Sequence, residues 1–313
     1  MIEIRRYTPA DKSVWNDFVA NAKNSTFLHN RNYMDYHSDR FVDFSLMAYN
    51  SGKLVAVLPA NISGTVLYSH QGLTYGGWLT PVKHFTANTM MEVFASMRDF
   101  LKSQGITKLV YKAVPHIFHR YPAEEDLYAL FRFGARLTVV NISSTIDYSV
   151  DSLPFDRRSR RNCDKAKAAG IEVRQSDDYA AFWNILSSNL QSKYGVAPVH
   201  TLDEMLLLKA RFPKEISLWM SYRGETPLAG VVMFDHGSTV HAQYSSANAE
   251  GLECGALSYL FATLIKDIYS DRRYYDFGIS NEDGGQFLNE KLIEMKAGNA
   301  ARGIAFNIYE LDI

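Results

Sequence analysis

The chain has 313 residues, 47% hydrophobic and 13% aromatic, and its 33 Lys and Arg against 34 Asp and Glu give a formal net charge of -1. This composition excludes a disordered chain and can bury a large core, in one large or two ordinary domains. It also excludes a global field that would draw the protein to DNA or an anionic membrane, so any polyanion site must be a local patch.

Residues 2 to 7 alternate as an amphipathic strand without a signal-peptide core, and no apolar run approaches the roughly 20 residues that cross a bilayer. A cytoplasmic location is the expectation. Residues 10 to 22 predict a helix with Val14, Trp15, Phe18 and Val19 on one side, and a short helix follows around 32 to 38. Strands at 44 to 49 and 54 to 60 flank Asn50-Ser51-Gly52-Lys53, a hairpin turn whose Asn and Gly accept the positive φ that tight hairpins need. Residues 66 to 69 continue the meander, 87 to 103 read as a helix stopped by Gly105, and 106 to 113 as a buried strand. The loop from Gly72 to Gly77 is glycine-rich but lacks the Lys-Ser/Thr of a nucleotide-binding loop.

The second half repeats this order: a meander at 216 to 222, 228 to 234 and 239 to 245, a helix at 256 to 270 and a strand at 274 to 278. Two copies of one αβ unit, bounded at about 1–147 and 148–313, is the economical reading. Cys163 and Cys254 are too few and too far apart for a disulfide framework, and His116 with His119 lacks a third ligand, so no metal is expected.

A basic segment runs from Arg157 to Lys167, and Arg157, Arg161 and Lys165 fall at i, i+4 and i+8 on one helical face with Arg158 beside it. Guanidinium forks there suit phosphate oxygens, and a solvated face partly neutralised by Asp156 and Asp164 is the plainer alternative. The apolar strand ending in Tyr275-Asp276-Phe277-Gly278 leads through a polar, glycine-bearing loop to Lys296-Ala297-Gly298. Asp276 fits proton acceptance from an attacking amine or an ordinary capping role, and Lys296 fits anion binding or satisfaction of carbonyls at a helix end.

A duplicated meander–helix–strand unit, the basic segment followed by Gly170 and a strand, Tyr244-Ser245-Ser246-Ala247-Asn248, and the Asp276 to Gly298 stretch resemble the Fem-type tandem GNAT acyl and aminoacyl transferases. The resemblance implies an α/β (α+β) fold of two tandem GNAT-like units, each a mixed sheet flanked by helices. It implies transfer of an acyl or aminoacyl group to an amine of a phosphate-bearing acceptor, such as a nucleotide-linked amino sugar in cell-envelope synthesis. Asp276 and Lys296 are then the catalytic candidates, with Arg158, Arg161, Lys165, Tyr194, Gln243, Tyr244 and Asn281 as the substrate- and phosphate-binding set. Acyl-CoA is one candidate donor and an aminoacyl-tRNA acting on a peptidoglycan precursor the alternative. Ordinary acetyl-CoA enzymes of this fold carry Gln/Arg-x-x-Gly-x-Gly/Ala, whereas here Asn248 to Ala256 has its glycines at other spacings and two carboxylates, Glu250 and Glu253, that repel phosphate. That departure keeps a non-catalytic binding module as a third reading. The acyl group, the acceptor and the oligomeric state are not encoded in any of these motifs.

Overall fold

The computed structural model describes the backbone of residues 1–313 and every side chain except that of Tyr194, whose expected ligand role lies outside the described residues. In chain order the elements begin with β1 (Ile2–Arg6), α1 (Lys12–Asn21), α2 (Arg31–Met34), β2 (Val42–Asp43), β3 (Leu46–Asn50), β4 (Lys53–Leu58), β5 (Asn61–Ser63), β6 (Val66–Tyr68), α3 (Ala87–Ser103), β7 (Lys108–Lys112), α4 (Glu125–Arg132) and β8 (Arg136–Asp147). There follow α5 (Arg157–Ala168), β9 (Glu172–Ser176), α6 (Tyr179–Tyr194), α7 (Leu202–Arg211), β10 (Ile216–Arg223), β11 (Thr226–Asp235), β12 (Thr239–Ala247), α8 (Ala249–Cys254), α9 (Ala256–Thr263), β13 (Tyr274–Ile279), β14 (Asn281–Glu282), β15 (Phe287–Leu288), α10 (Glu290–Gly298) and β16 (Arg302–Asp312).

Two compact units divide the chain, Met1–Asn141 with Ala305–Ile313, and Ile142–Ile304. The expected boundary at 147/148 is therefore corrected at both ends, and strand pairing is the reason. Residues 143 to 147 of β8 pair with β13, while residues 308 to 312 of β16 pair with β7.

In the first unit the hairpin at 50 to 53 forms as expected, with Ser51 and Gly52 at φ 49° and 80° joining β3 to β4, and β1 completes a three-stranded antiparallel sheet. The longer run of strands pairs β6 and β7 in parallel, Val66 to Tyr68 against Lys108 to Val110. Parallel neighbours need a crossover, and α3 supplies it. Its Met90, Val93, Phe94, Met97 and Leu101 recur every three or four residues and are all buried, against Leu67, Leu109 and Tyr111 of the strands. Each such side chain contributes roughly 1.5–3 kcal/mol by leaving water.

The second unit orders its strands β8-β13-β12-β11-β10-β9. Strands β10, β11 and β12 form the antiparallel meander, and β12 pairs with β13 in parallel through the crossover of α8 and α9. The helix expected over 256 to 270 changes character at Leu264–Ile268, where a single π turn replaces the α geometry. Two details of the pairing open a site. Strands β12 and β13 share only Thr239 to His241 against Tyr274 to Asp276, after which they part. One residue later on the same strand, the register of β12 against β11 slips between Ala242 and Tyr244, leaving Gln243 as an extra residue.

Candidate active site

The site begins from register. His241 on β12, Asp276 on β13 and Thr145 on β8 are direct partners across neighbouring strands, so their side chains share one face of the sheet. Ser143, two residues before Thr145, projects from that same face. Ser143 Oγ and Thr145 Oγ1 both donate to Asp276 Oδ1, at 2.5 and 2.7 Å, and His241 Nδ1 lies 2.7 Å from Asp276 Oδ2.

Asp276 is completely buried. Burial pushes its carboxyl up, but the hydrogen bond and charge of His241 together with the two hydroxyl donors outweigh it and hold the group below the ordinary carboxylate value. An ionised carboxylate has no proton to give, so Nδ1 of His241 donates, and in the neutral ring Nε2 is the basic nitrogen. The side chain of His241 keeps 12% of its surface exposed, while that of Asp276 keeps none. The arrangement is a partly exposed imidazole oriented by a buried anion that is itself fixed by two hydroxyls, the form a proton acceptor takes.

Asp276, expected to meet an amine itself, is thus too deeply placed to touch a ligand directly, and the partly exposed side chain bonded to it is His241. No sequence motif pointed to His241, whose partner is 35 residues away along the chain. The available signal was the alternation of Thr239-Val240-His241-Ala242, which sets His241 on one strand face; its partner required the register.

Lys296, near the end of α10, is buried, and its Nζ donates to Gly278 O and Ile279 O at 2.8 Å each. Burial lowers its pKa to about 8, with the Asp276 charge opposing that shift. The carbonyls it satisfies belong to β13 rather than to its own helix end, and they lie two and three residues after Asp276. Gly278 there adopts φ 78°, and a Cβ on it would stand 3.1 Å from His241 Cε1. Lys296 therefore fixes the strand end beside the His241–Asp276 pair.

Asn281 is buried, and its Oδ1 accepts the Ile142 N–H at 2.6 Å, tying β14 to β8. Gln243 occupies the bulge, half-buried. Tyr244 OH lies 2.6 Å from His200 Nδ1 and accepts the His200 N–H, and burial raises its pKa to about 12.

The basic segment is a helix, α5, capped by Asp156, whose Oδ1 accepts the Ser159 N–H. Arg157, Arg158, Arg160 and Arg161 are all exposed within its first turn and a half. Cations there oppose the helix macrodipole, so this arrangement costs stability and suits an anion. Lys165 is committed elsewhere: its Nζ donates to Glu253 O at 2.6 Å. The helix start abuts the Lys296 segment, because Asp156 N donates to Gly298 O at 2.8 Å, and a Cβ on Gly298 would come within 2.5 Å of Asp156 Oδ2. Farther along, a Cβ on Gly255, just before α9, would meet Asn162 O at 2.3 Å. The α9 N-terminus is thus faced by an α5 carbonyl oxygen, and the segment before it is helical α8 carrying Glu250 and Glu253. Neither feature cradles a pyrophosphate.

Residues 155–284 match the acetyltransferase (GNAT) domain model. No curated protein matches in sequence. In three dimensions the chain is similar to FemX, with a TM-score of 0.69, 11% identity and 99% of this chain over 97% of that one. It is similar to the C-terminal domain of a putative lysylphosphatidylglycerol synthetase from Agrobacterium fabrum, with a TM-score of 0.62, 10% identity and coverage of 96% and 92%. A tandem GNAT protein from the clavulanic acid biosynthesis pathway aligns at a TM-score of 0.51 and 11% identity, over 100% and 98% of the two chains. At these identities the likeness is one of fold, and the fold is the Fem-like tandem GNAT architecture.

Proposed function

We propose that this Fem-like tandem GNAT protein is an N-acyltransferase in which His241, oriented by Asp276, takes the proton of the attacking amine. The observation that carries this reading is the His241–Asp276 pair set where β12 and β13 part. Attack of a neutral amine on a thioester or ester carbonyl forms the C–N bond and breaks the C–S or C–O bond. The amine proton passes to His241 Nε2, the imidazolium is stabilised by the buried Asp276, and the leaving sulfur or oxygen takes a proton back. Most of the remaining barrier is orientation of two substrates, which a rigid sheet edge provides. Lys296, still largely protonated near neutral pH with a pKa of about 8, adds positive charge beside the reacting centre.

The acceptor we propose is an amine on a phosphate-bearing molecule, such as a nucleotide-linked amino sugar of cell-envelope synthesis, with Arg158 and Arg161 as its phosphate forks. For the donor, the carbonyl of Asn162 facing Gly255 and the carboxylates of α8 disfavour pyrophosphate at the α9 N-terminus. That favours an aminoacyl ester on tRNA over acyl-CoA held in the ordinary way.

Incubating the full chain with acyl-CoAs or charged tRNAs and a panel of nucleotide-linked amino sugars, with products followed by mass spectrometry, tests this. Transfer that vanishes in His241→Ala supports it. Tight ligand binding with no turnover from either donor class defeats the enzyme and leaves a binding module.

A further inference from the structure

A second stripe of α5 leads away from the residues used so far. Arg160, Cys163, Asp164 and Lys167 recur at three and four residues, and with Phe155, Tyr259, Ala262, Thr263, Lys266 and Asp267 they line a cavity of about 300 Å³ between α5, α9 and the π turn. That volume lies at the lower end of the range for small-molecule sites. None of these residues belongs to the Asp276 network, and none is among the groups Arg158, Arg161 and Lys165 offered by the neighbouring stripe.

Its chemistry is mixed in an informative way. Lys266 Nζ sits 4.3 Å from the centroid of Phe155, and Lys167 Nζ 5.7 Å from that of Tyr259. Among the described residues neither ammonium forms an ion pair with a carboxylate, so both are held over rings. Cations kept in this way remain able to accept an anion. The Arg160 guanidinium adds a fork suited to phosphate oxygens. Beside these three cations stand Asp164 and Asp267, which repel a bare anion but accept hydrogen bonds from the hydroxyls of a ribose or the amino groups of a base. The half-buried Tyr259 ring supplies an apolar border against which a flat ring can pack.

We infer that this cavity between α5 and α9 binds a nucleoside phosphate, its phosphate on Arg160, Lys167 and Lys266 and its hydroxyl or amino donors on Asp164 and Asp267. Phosphate alone uses only half of this lining. A nucleoside phosphate uses both halves, whether it arrives as a free nucleotide or as an unpaired nucleotide of an RNA. The inference goes beyond acyl transfer, because it requires only binding and its readout is independent of turnover.

Isothermal titration of the full chain with the four ribonucleoside monophosphates, a short single-stranded oligoribonucleotide and inorganic phosphate tests the site. The expected result is saturable binding of at least one nucleoside phosphate, tighter than inorganic phosphate. It should weaken by about tenfold or more in Lys167→Ala/Lys266→Ala and also in Asp164→Asn, because each removes charge-assisted contacts. Lys53→Ala, at an exposed lysine of the β3–β4 turn, should leave it within about threefold. A monophosphate that binds as tightly as the oligomer identifies the free nucleotide as the source, and an oligomer bound far more tightly identifies RNA. Absence of saturable binding, equal affinity for inorganic phosphate, or affinities unchanged in both cavity variants would overturn the inference. Because Lys167, Lys266 and Asp164 are exposed on helix surfaces, these variants keep the fold, and melting curves verify it.

Discussion

Each unit contains one pair of parallel strands joined by a crossover helix, and the two put the gap beyond that pair to opposite use. In the first unit β6 stops at Tyr68, and the chain turns back over the end of β7: Ser69 N donates to Val110 O, Gly76 N to Lys112 O, and Lys112 N to Ser69 Oγ at 2.7 Å. Lys112 Nζ then donates to His70 O, Gln71 O and Leu73 O, at 3.3, 3.2 and 2.8 Å. The gap is filled by its own backbone. In the second unit β12 runs on past His241 to Ala247, and the start of the gap carries an oriented histidine instead. Burial lowers both Lys112 and Lys296 to a pKa of about 8, and both satisfy backbone carbonyls, Lys112 those of the loop after β6 and Lys296 those at the end of β13. Equivalent topology therefore fixes where a gap can form, and side chains decide whether it becomes packing or chemistry.

The largest effect that would sharpen this contrast is on turnover. His241→Gln, which keeps an amide donor for Asp276 but no base, should lower transfer by about 10²–10⁴-fold, the usual contribution of a general base, while melting curves change little; His241→Ala should add a loss of stability, because it strips the buried carboxylate of its imidazole partner. Asp276→Asn should also cut turnover strongly, because an amide no longer fixes the Nδ1 proton. Steady-state kinetics beside thermal melts check both, and full activity in either variant removes the pair from the mechanism.

In the first unit the corresponding damage should fall on stability. Lys112→Met leaves three carbonyls without their ammonium, which should cost about 2–4 kcal/mol in urea unfolding with transfer unchanged in the surviving folded protein. If Lys112→Met instead abolished transfer while melting normally, the first gap would be functional after all.

Acid should separate the units next. Burial depresses His29 and His119 of the first unit to about 4, against an ordinary value of 6.5. The unfolded chain then binds the extra protons first, so first-unit stability should fall as pH drops from about 6.5 to about 4, by at most on the order of 3 kcal/mol per histidine. Asp276, whose pKa is held below 3.8, keeps its stabilisation above that value and loses it only as pH falls further. Hydrogen exchange at pH 5 and pH 7 should show the loosening concentrated in residues 1 to 141, and equal loosening of both units would break the comparison.

The smallest effect concerns the helix start. Arg158→Ala/Arg161→Ala should leave the fold intact, weaken a phosphate-bearing acceptor by about tenfold and flatten the salt dependence of its binding. Titrations at low and high salt measure it.

Much of this architecture was legible because local patterns carried it. The 50 to 53 turn, the α3 stripe and the second meander follow from turn chemistry and periodicity, and Asp276 and Lys296 stood out at the ends of a strand and a helix; the first meander expected through residues 66 to 69 is not formed, because β3 and β4 pair with β1 in one sheet while β6 pairs with β5 and β7 in another. Capping signals could have extended that reading: Asp178 begins α6, and Thr201 with Glu204 forms a capping box at α7. Residues 136 to 147, rich in Val, Ile and Thr, likewise carried a strand signal for β8. What could not be read locally is cross-strand partnership. Ser143, Thr145, His241 and Asp276 meet only through register, and Lys165 looks free in sequence until Glu253 O is found beneath it. Sequence spacing places groups on a face; only the fold says which faces meet.

The pairing of residues 308 to 312 with β7 also sets an order of events during synthesis. Domains usually fold as they leave the ribosome, the earlier one first. Here the first unit cannot complete its sheet until the last strand emerges, after all of residues 142 to 304. Until then β7 presents an unpaired edge, the kind of surface that invites wrong partners. The unit that begins the chain is thus the last to close.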